Sequence, residues 1–108
     1  MADALRAIKI QTKACQRYKK EIAYYKKEEE QQRSKIAKLQ ESGADGHDID
    51  KQKEVLEETL QMIPECKNLL EQAVHELESL VAQHSDDEKI KESEELTAAN
   101  ELLEELRA

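Results

Sequence analysis

The sequence predicts an all-α fold, an elongated antiparallel three-helix bundle in up-down-up order with coiled-coil packing. Three observations carry that expectation. Apolar residues recur at the period with which one side of a helix repeats, in Ile8, Cys15, Ile22 and Ile36 and again in Ile49, Leu56, Ile63, Leu70 and Leu77. Only two short breaks interrupt the pattern, Ser42 to His47 and Ser85 to Glu88, and connections so short make neighbouring helices antiparallel. Charged residues make up 39% of the chain while Phe and Trp are absent, so stability must come from stripes of Leu, Ile, Val and Ala. At 108 residues the chain is expected to be one domain spanning 1–108.

The first helix is expected over about 4–41. With Ile8 at heptad position a, Cys15, Ile22 and Ile36 share that position, and Tyr18, Tyr25 and Leu39 fall at d. It should stop at Ser42-Gly43, because glycine suits the left-handed residue that follows a helix end. Asp45 or Asp48 then caps the second helix, expected over about 48–84. That helix adds Val55, Leu60, Met62, Leu69, Val74, Leu80 and Val81 beside its a positions, a stripe wider than a two-stranded seam needs, so a second packing partner is implied. Pro64 interrupts it. Proline removes a backbone donor and crowds the preceding turn at a cost of about 3 kcal/mol, so a kink held by tertiary packing is expected there. The third helix is expected over about 86–107, opened by Ser85-Asp86-Asp87-Glu88 as a capping box, with Ile90, Leu96, Ala99, Leu103 and Leu106 as its weaker stripe.

If Leu39 meets Ile49 beside the first turn, facing residue numbers sum to about 88, which sets Ile22 against Cys66, Tyr18 against Leu70 and Cys15 against Ala73. The two cysteines are then offset by about seven residues, roughly 10 Å, too far for an intramolecular disulfide. Both read as small buried hydrophobes. The short third helix reaches back only to the neighbourhood of Pro64, which leaves the distal half as a bare hairpin. There the seam turns polar at Glu29, Gln32, Gln52 and Thr59, and a partner is expected to complete it.

Charge is unevenly placed. Residues 1–42 hold 11 Lys/Arg against 6 Asp/Glu, and residues 43–108 hold 6 against 19. The basic first segment should be drawn to the acidic remainder of its own chain, or Arg17, Lys19, Lys20, Lys26 and Lys27 should face an acidic protein partner. Nucleic acid is not expected, because Glu21 and Glu28 to Glu30 interrupt the basic run and no stacking aromatics are arrayed. No transmembrane run or leader peptide is read, and a reducing cytosol is the expected setting. His75-Glu76-Leu77-Glu78-Ser79 begins like a zinc-protease helix but has Ser79 where a second histidine must stand. No phosphate loop or acid/base pair is legible, so catalytic, cofactor and metal sites are expected to be none.

Surface chemistry is more informative. Tyr24 and Ile10 fall at outward c positions, and an exposed tyrosine beside Lys26 and Lys27 has the form of a protein-binding anchor. Ile8-Lys9-Ile10 with Thr12, Arg17, Lys20-Glu21, Tyr25 and Lys27-Glu28, followed by Asp48-Ile49, Lys51-Gln52, Leu56-Glu57-Glu58, Met62-Ile63-Pro64-Glu65-Cys66, Leu70-Glu71, Ala73 and Leu77, resemble the first and central helices of the tubulin-binding cofactor A family, whose signature is M-I-P-[DE]-C. The resemblance covers about residues 5–84; the third helix matches only in its acidic, leucine-bearing character, and Tyr24-Tyr25 stands where a lone tyrosine is usual.

The resemblance implies a spectrin-like helical chaperone of the cytoplasm, associated with the cytoskeleton, that captures β-tubulin released from the chaperonin and holds it on the way to the α/β heterodimer. It implies no nucleotide, no small-molecule substrate and no covalent chemistry. Contact residues are expected at Tyr24, Lys26, Lys27, Glu57, Glu58, Gln61 and Met62, with Pro64 setting the local bend and Gly43, Ser85 and Glu88 shaping the helix ends. A monomer is expected, with a dimer left open. The competing expectation is a coiled-coil structural or tethering protein that self-associates through the same stripes.

Overall fold

A computed structural model describes residues 2–107, which are helical between short connections and contain no strand. The helices are α1 (Ala2–Glu41), α2 (Gly46–His84), α3 (Glu88–Lys91) and α4 (Glu94–Arg107). They form two compact units, one taking the chain to Lys19 and from Asn68 onward, the other Lys20–Lys67.

The first unit holds a continuous apolar core. α1 contributes Ile8 and Cys15, α2 Ala73 and Leu77, α3 Ile90, and α4 Leu96, Ala99, Leu102 and Leu103. Tyr18, Leu70, Val74, Leu80, Val81 and Leu106 pack against its margin. Val74, Leu80 and Val81, which widened the stripe of the second helix, are half-buried against this core, and Val81 shares a groove with Leu103 of α4. Thr12 is buried among these groups without penalty, because its hydroxyl donates to the Ile8 carbonyl one turn earlier at 2.7 Å. Gln11 Nε2 donates to the Ala73 carbonyl at 3.1 Å. Two exposed ion pairs, Lys19 with Glu105 and Arg107 with Glu78, tie α4 to its neighbours; pairs so exposed contribute at most about 1 kcal/mol each.

The second unit is a helical hairpin made of the later part of α1, the connection and the earlier part of α2. Its connection reads as expected. Gly43 takes φ +71°, its amide reaches the Gln40 carbonyl at 3.3 Å, and the Ala44 amide reaches Leu39 at 3.0 Å. That pairing satisfies the last carbonyls of α1 and needs a residue free to adopt a left-handed backbone. Of the two candidate caps for α2, Asp45 takes the role: its Oδ1 accepts from the His47 amide at 3.2 Å and its carbonyl from Asp48 and Ile49. Burial here is sparse. Ile36, Thr59 and Cys66 are buried, while Ile22, Tyr25, Leu39, Ile49, Leu56 and Ile63 are only half-buried. α2 runs unbroken through Pro64. The Leu60 carbonyl loses its usual donor there, and both residues lie exposed, where water can replace it.

Two expectations about the C-terminal segment need correction. The single helix expected over 86–107 is two helices, because the chain leaves helical geometry at Glu92 (φ −104°, ψ 9°) and Ser93 begins a new turn. Nor does Ser85 form a capping box with Glu88. Asp87 is the cap, its Oδ1 accepting from the Lys89 amide at 3.0 Å, while the Ser85 hydroxyl donates back to Ala82 at the end of α2. Asp87 carries a short acceptor directly before the first turn, so it outcompetes a serine still engaged by the preceding helix. Ser93 caps α4 through its Oγ, which accepts from the Leu96 amide at 3.1 Å.

Candidate partner-binding surface

Tyr24 is the largest exposed aromatic of the second unit, 58% accessible. Its ring meets the half-buried Tyr25 edge-on, with centroids 5.3 Å apart and planes at 71°, a geometry that adds roughly 0.5–1.5 kcal/mol to an aromatic pair. The inner tyrosine therefore steadies the outer one. Lys27 lies one turn further along the same side of α1. Lys26 stands about 200° around the helix from Tyr24, so α1 presents it on a different side. On α2, Glu57, Glu58 and Gln61 are exposed and Met62 is half-buried; together they span an arc of about 140°. The expected contact set thus divides into Tyr24 with Lys27, a contiguous α2 face, and Lys26 on its own.

Two residues absent from that set stand out. Val55 is 41% and Leu60 37% exposed, on either flank of the α2 face that buries Thr59 and Cys66. The signal for them was already the over-wide apolar stripe, which also leaves Leu69 of α2 42% exposed. Inside the hairpin the seam carries polar groups. Gln32 Nε2 donates to Glu28 Oε2 at 3.5 Å while its Oε1 is buried without a hydrogen-bond partner, and Arg33 pairs with Glu29 at 3.1 Å. Such a seam holds two helices together weakly.

Both cysteines are free and buried. The Cys66 thiol faces Glu21 Oε2 at 3.8 Å. Burial pushes its pKa up, and the negative charge of Glu21, the hydrogen bond to it and Glu65 push the same way. Burial also raises Cys15, against a smaller opposing contribution from a backbone hydrogen bond. Both thiols therefore stay protonated and weakly nucleophilic at neutral pH. His75 approaches Glu71 at 3.9 Å on an exposed face, and among the described residues no group of three metal-ligating side chains comes together. The grooves are open and shallow; one of about 540 Å³ lies between α2 and α4 and is lined by Glu78, Val81, Ser85, Asn100, Leu103 and Arg107 among others. Among the described residues no helix is long and apolar enough to cross a membrane.

A helical hairpin with half-buried seam residues and an exposed tyrosine is a surface suited to binding another macromolecule. The family model for tubulin binding cofactor A matches residues 3–103. The chain belongs to the tubulin binding cofactor A family. Its similarity extends over nearly the whole of its relatives: it is 39% identical to the tubulin-specific chaperone A of Gallus gallus, covering 99% of this chain and 97% of that one. It is 37% identical to the Homo sapiens protein of the same name with the same coverage, and 36% identical to tubulin-folding cofactor A of Arabidopsis thaliana across 92% and 87%. In three dimensions it resembles the crystal structure of the Arabidopsis thaliana cofactor with a TM-score of 0.86 at 34% identity, over 99% of this chain and 98% of the other. Against human tubulin chaperone cofactor A the TM-score is 0.77, again at 34% identity. As a cofactor A the chain is a tubulin chaperone by family.

Proposed function

We propose that this chain captures β-tubulin folding intermediates and holds them for assembly into the α/β heterodimer, acting by binding and without catalysis. The observation that carries the reading is the family match across residues 3–103, joined to a hairpin that leaves Tyr24, Val55 and Leu60 exposed. Exposed apolar groups on a helical surface can cover the apolar patch of an unfinished partner and so deplete its aggregating pool. Tyr24, Lys26, Lys27, Glu57, Glu58, Gln61 and Met62 are the contact residues, with Val55 and Leu60 beside them, and Pro64 sets the local bend of α2. α3 and α4 together serve as the third helix of an up-down-up bundle. The chain works as a cytoplasmic monomer. A self-associating structural coil is not favoured by a family named for tubulin binding.

The test is stoichiometry. β-Tubulin refolding from denaturant should be protected from aggregation in proportion to added chain, with protection complete near equimolar. Protection by small catalytic amounts, or none at an excess, would contradict holding by binding.

A further inference from the structure

One face of α1 is free of acid in a chain that carries 25 Asp/Glu and a net charge of −8. Within the second unit that face is Lys20, Tyr24, Lys27, Gln31, Ser34 and Lys38, spaced by alternating steps of four and three. Steps of that size keep all six within about 80° of arc along the helix. Every one of them is exposed. The acids of this part of α1 lie to the sides of the row: Glu21, Glu28 and Glu29 are half-buried toward the seam, and the exposed Glu30 and Glu41 stand about 80° and about 60° from the row's centre.

The basic residues that do serve the fold are different ones. Lys19 pairs with Glu105 and Arg33 with Glu29, whereas no ion pair among the described residues involves Lys20, Lys27 or Lys38. The attraction expected between the basic first segment and the acidic remainder is thus met by Lys19, and the outward row is left over from it. Its lysines stand about 10 and 16 Å apart along the helix axis. Those spacings exceed the screening length of about 8 Å at physiological salt, so each lysine meets a carboxylate separately, and specificity comes from the pattern instead of one concentrated charge.

Resting on the reading of the chain as a tubulin chaperone, we propose that this row docks a carboxylate-rich segment of the captured β-tubulin chain. Tyr24 supplies the central apolar contact and the three lysines pair with the segment's acids. Charge complementarity sets the occupant: an acidic peptide gains three ion pairs on these lysines, with Glu30, which borders Gln31, Ser34 and Lys38, as the like charge at the row's edge, whereas a basic partner has no such match on a lysine row.

The experiment measures β-tubulin binding to the full chain by fluorescence anisotropy at about 0.05 M and about 0.3 M salt. Variants are Lys20→Glu/Lys27→Glu/Lys38→Glu, the neutral Lys20→Gln/Lys27→Gln/Lys38→Gln, and Lys51→Glu/Lys53→Glu/Lys67→Glu, which alters net charge equally on exposed α2 positions outside the row. Circular dichroism confirms that each stays helical. The row reversal should weaken binding by about ten-fold or more, the neutral row should weaken it less and flatten its salt dependence, and the α2 reversal should stay near wild type. Wild-type binding matched by both row variants would overturn the docking row and leave the chaperone reading standing. Equal losses in the row and α2 reversals would overturn it in favour of overall charge. A wild-type chain that binds no β-tubulin would overturn the chaperone reading and the row together.

Discussion

Replacing Gln32 with leucine should stiffen the Lys20–Lys67 hairpin. Gln32 Oε1 is buried with no hydrogen-bond partner, and its Nε2 holds Glu28 only at 3.5 Å. A stranded buried acceptor costs about 1–3 kcal/mol, and a contact that long returns at most about 0.5 kcal/mol. Leucine matches glutamine closely in volume, so the seam need not expand to admit it. The net gain is therefore about 0.5–3 kcal/mol, which slows exchange of amides that open with this unit by about 2- to 150-fold. Native-state hydrogen exchange read by mass spectrometry resolves the two units separately. Peptides within 20–67 should gain protection while those within 68–107 stay unchanged. Equal or faster exchange in 20–67 would refute the claim that a polar seam weakens the hairpin.

Other outcomes follow from the same physical reading. Leu77 is fully buried in the first unit, so Leu77→Ala should cost about 2–5 kcal/mol in urea unfolding, by lost burial and a residual cavity. Ser93→Ala removes the cap of α4 and should cost about 1 kcal/mol, whereas Ser85→Ala should change stability by less than about 0.5 kcal/mol; thermal melts of the two variants compare them directly. Cys15 and Cys66 both have pKa values raised above their ordinary 9.0 in the folded chain. The unfolded thiols lose their protons first as pH rises, so stability is intact below about pH 9 and declines as pH climbs from there toward the folded values. Urea midpoints from pH 7 to 10 should fall, and a Cys15→Ala/Cys66→Ala chain should lose that part of the decline.

The long helices were legible because seven-residue spacing survives any tertiary context that has one apolar side to fill. Cys15 and Ala73, set against each other by the expected register, belong to one core, and the hydrogen bond from Gln11 to Ala73 and the contact of Cys66 with Glu21 join residues whose numbers sum to 84 and 87, against the expected 88. Gly43 was legible for a backbone reason that no neighbour can override. Helix caps were not. Ser85-Asp86-Asp87-Glu88 offers three competing acceptors within four residues, and the template favoured serine where Asp87 holds the better position. Ser93-Glu94-Glu95-Leu96 lacks the glutamate that completes a capping box, so a serine acting alone escaped notice. The outward placement of Tyr24 and Ile10 was legible from phase, and both are more than half exposed. That Val55 and Leu60 lie open was not, because apolar residues flanking a seam look the same in sequence whether or not a further helix covers them.

The central claim is that a single chain binds a single β-tubulin through its helical surface. Light scattering on a sizing column, with the chain alone and then mixed with β-tubulin, tests it most directly. The account predicts one 12.5 kDa chain by itself, at every loading concentration, and a discrete complex of one chain with one β-tubulin in the mixture. A stable homo-oligomer that elutes unchanged in the presence of β-tubulin would contradict it.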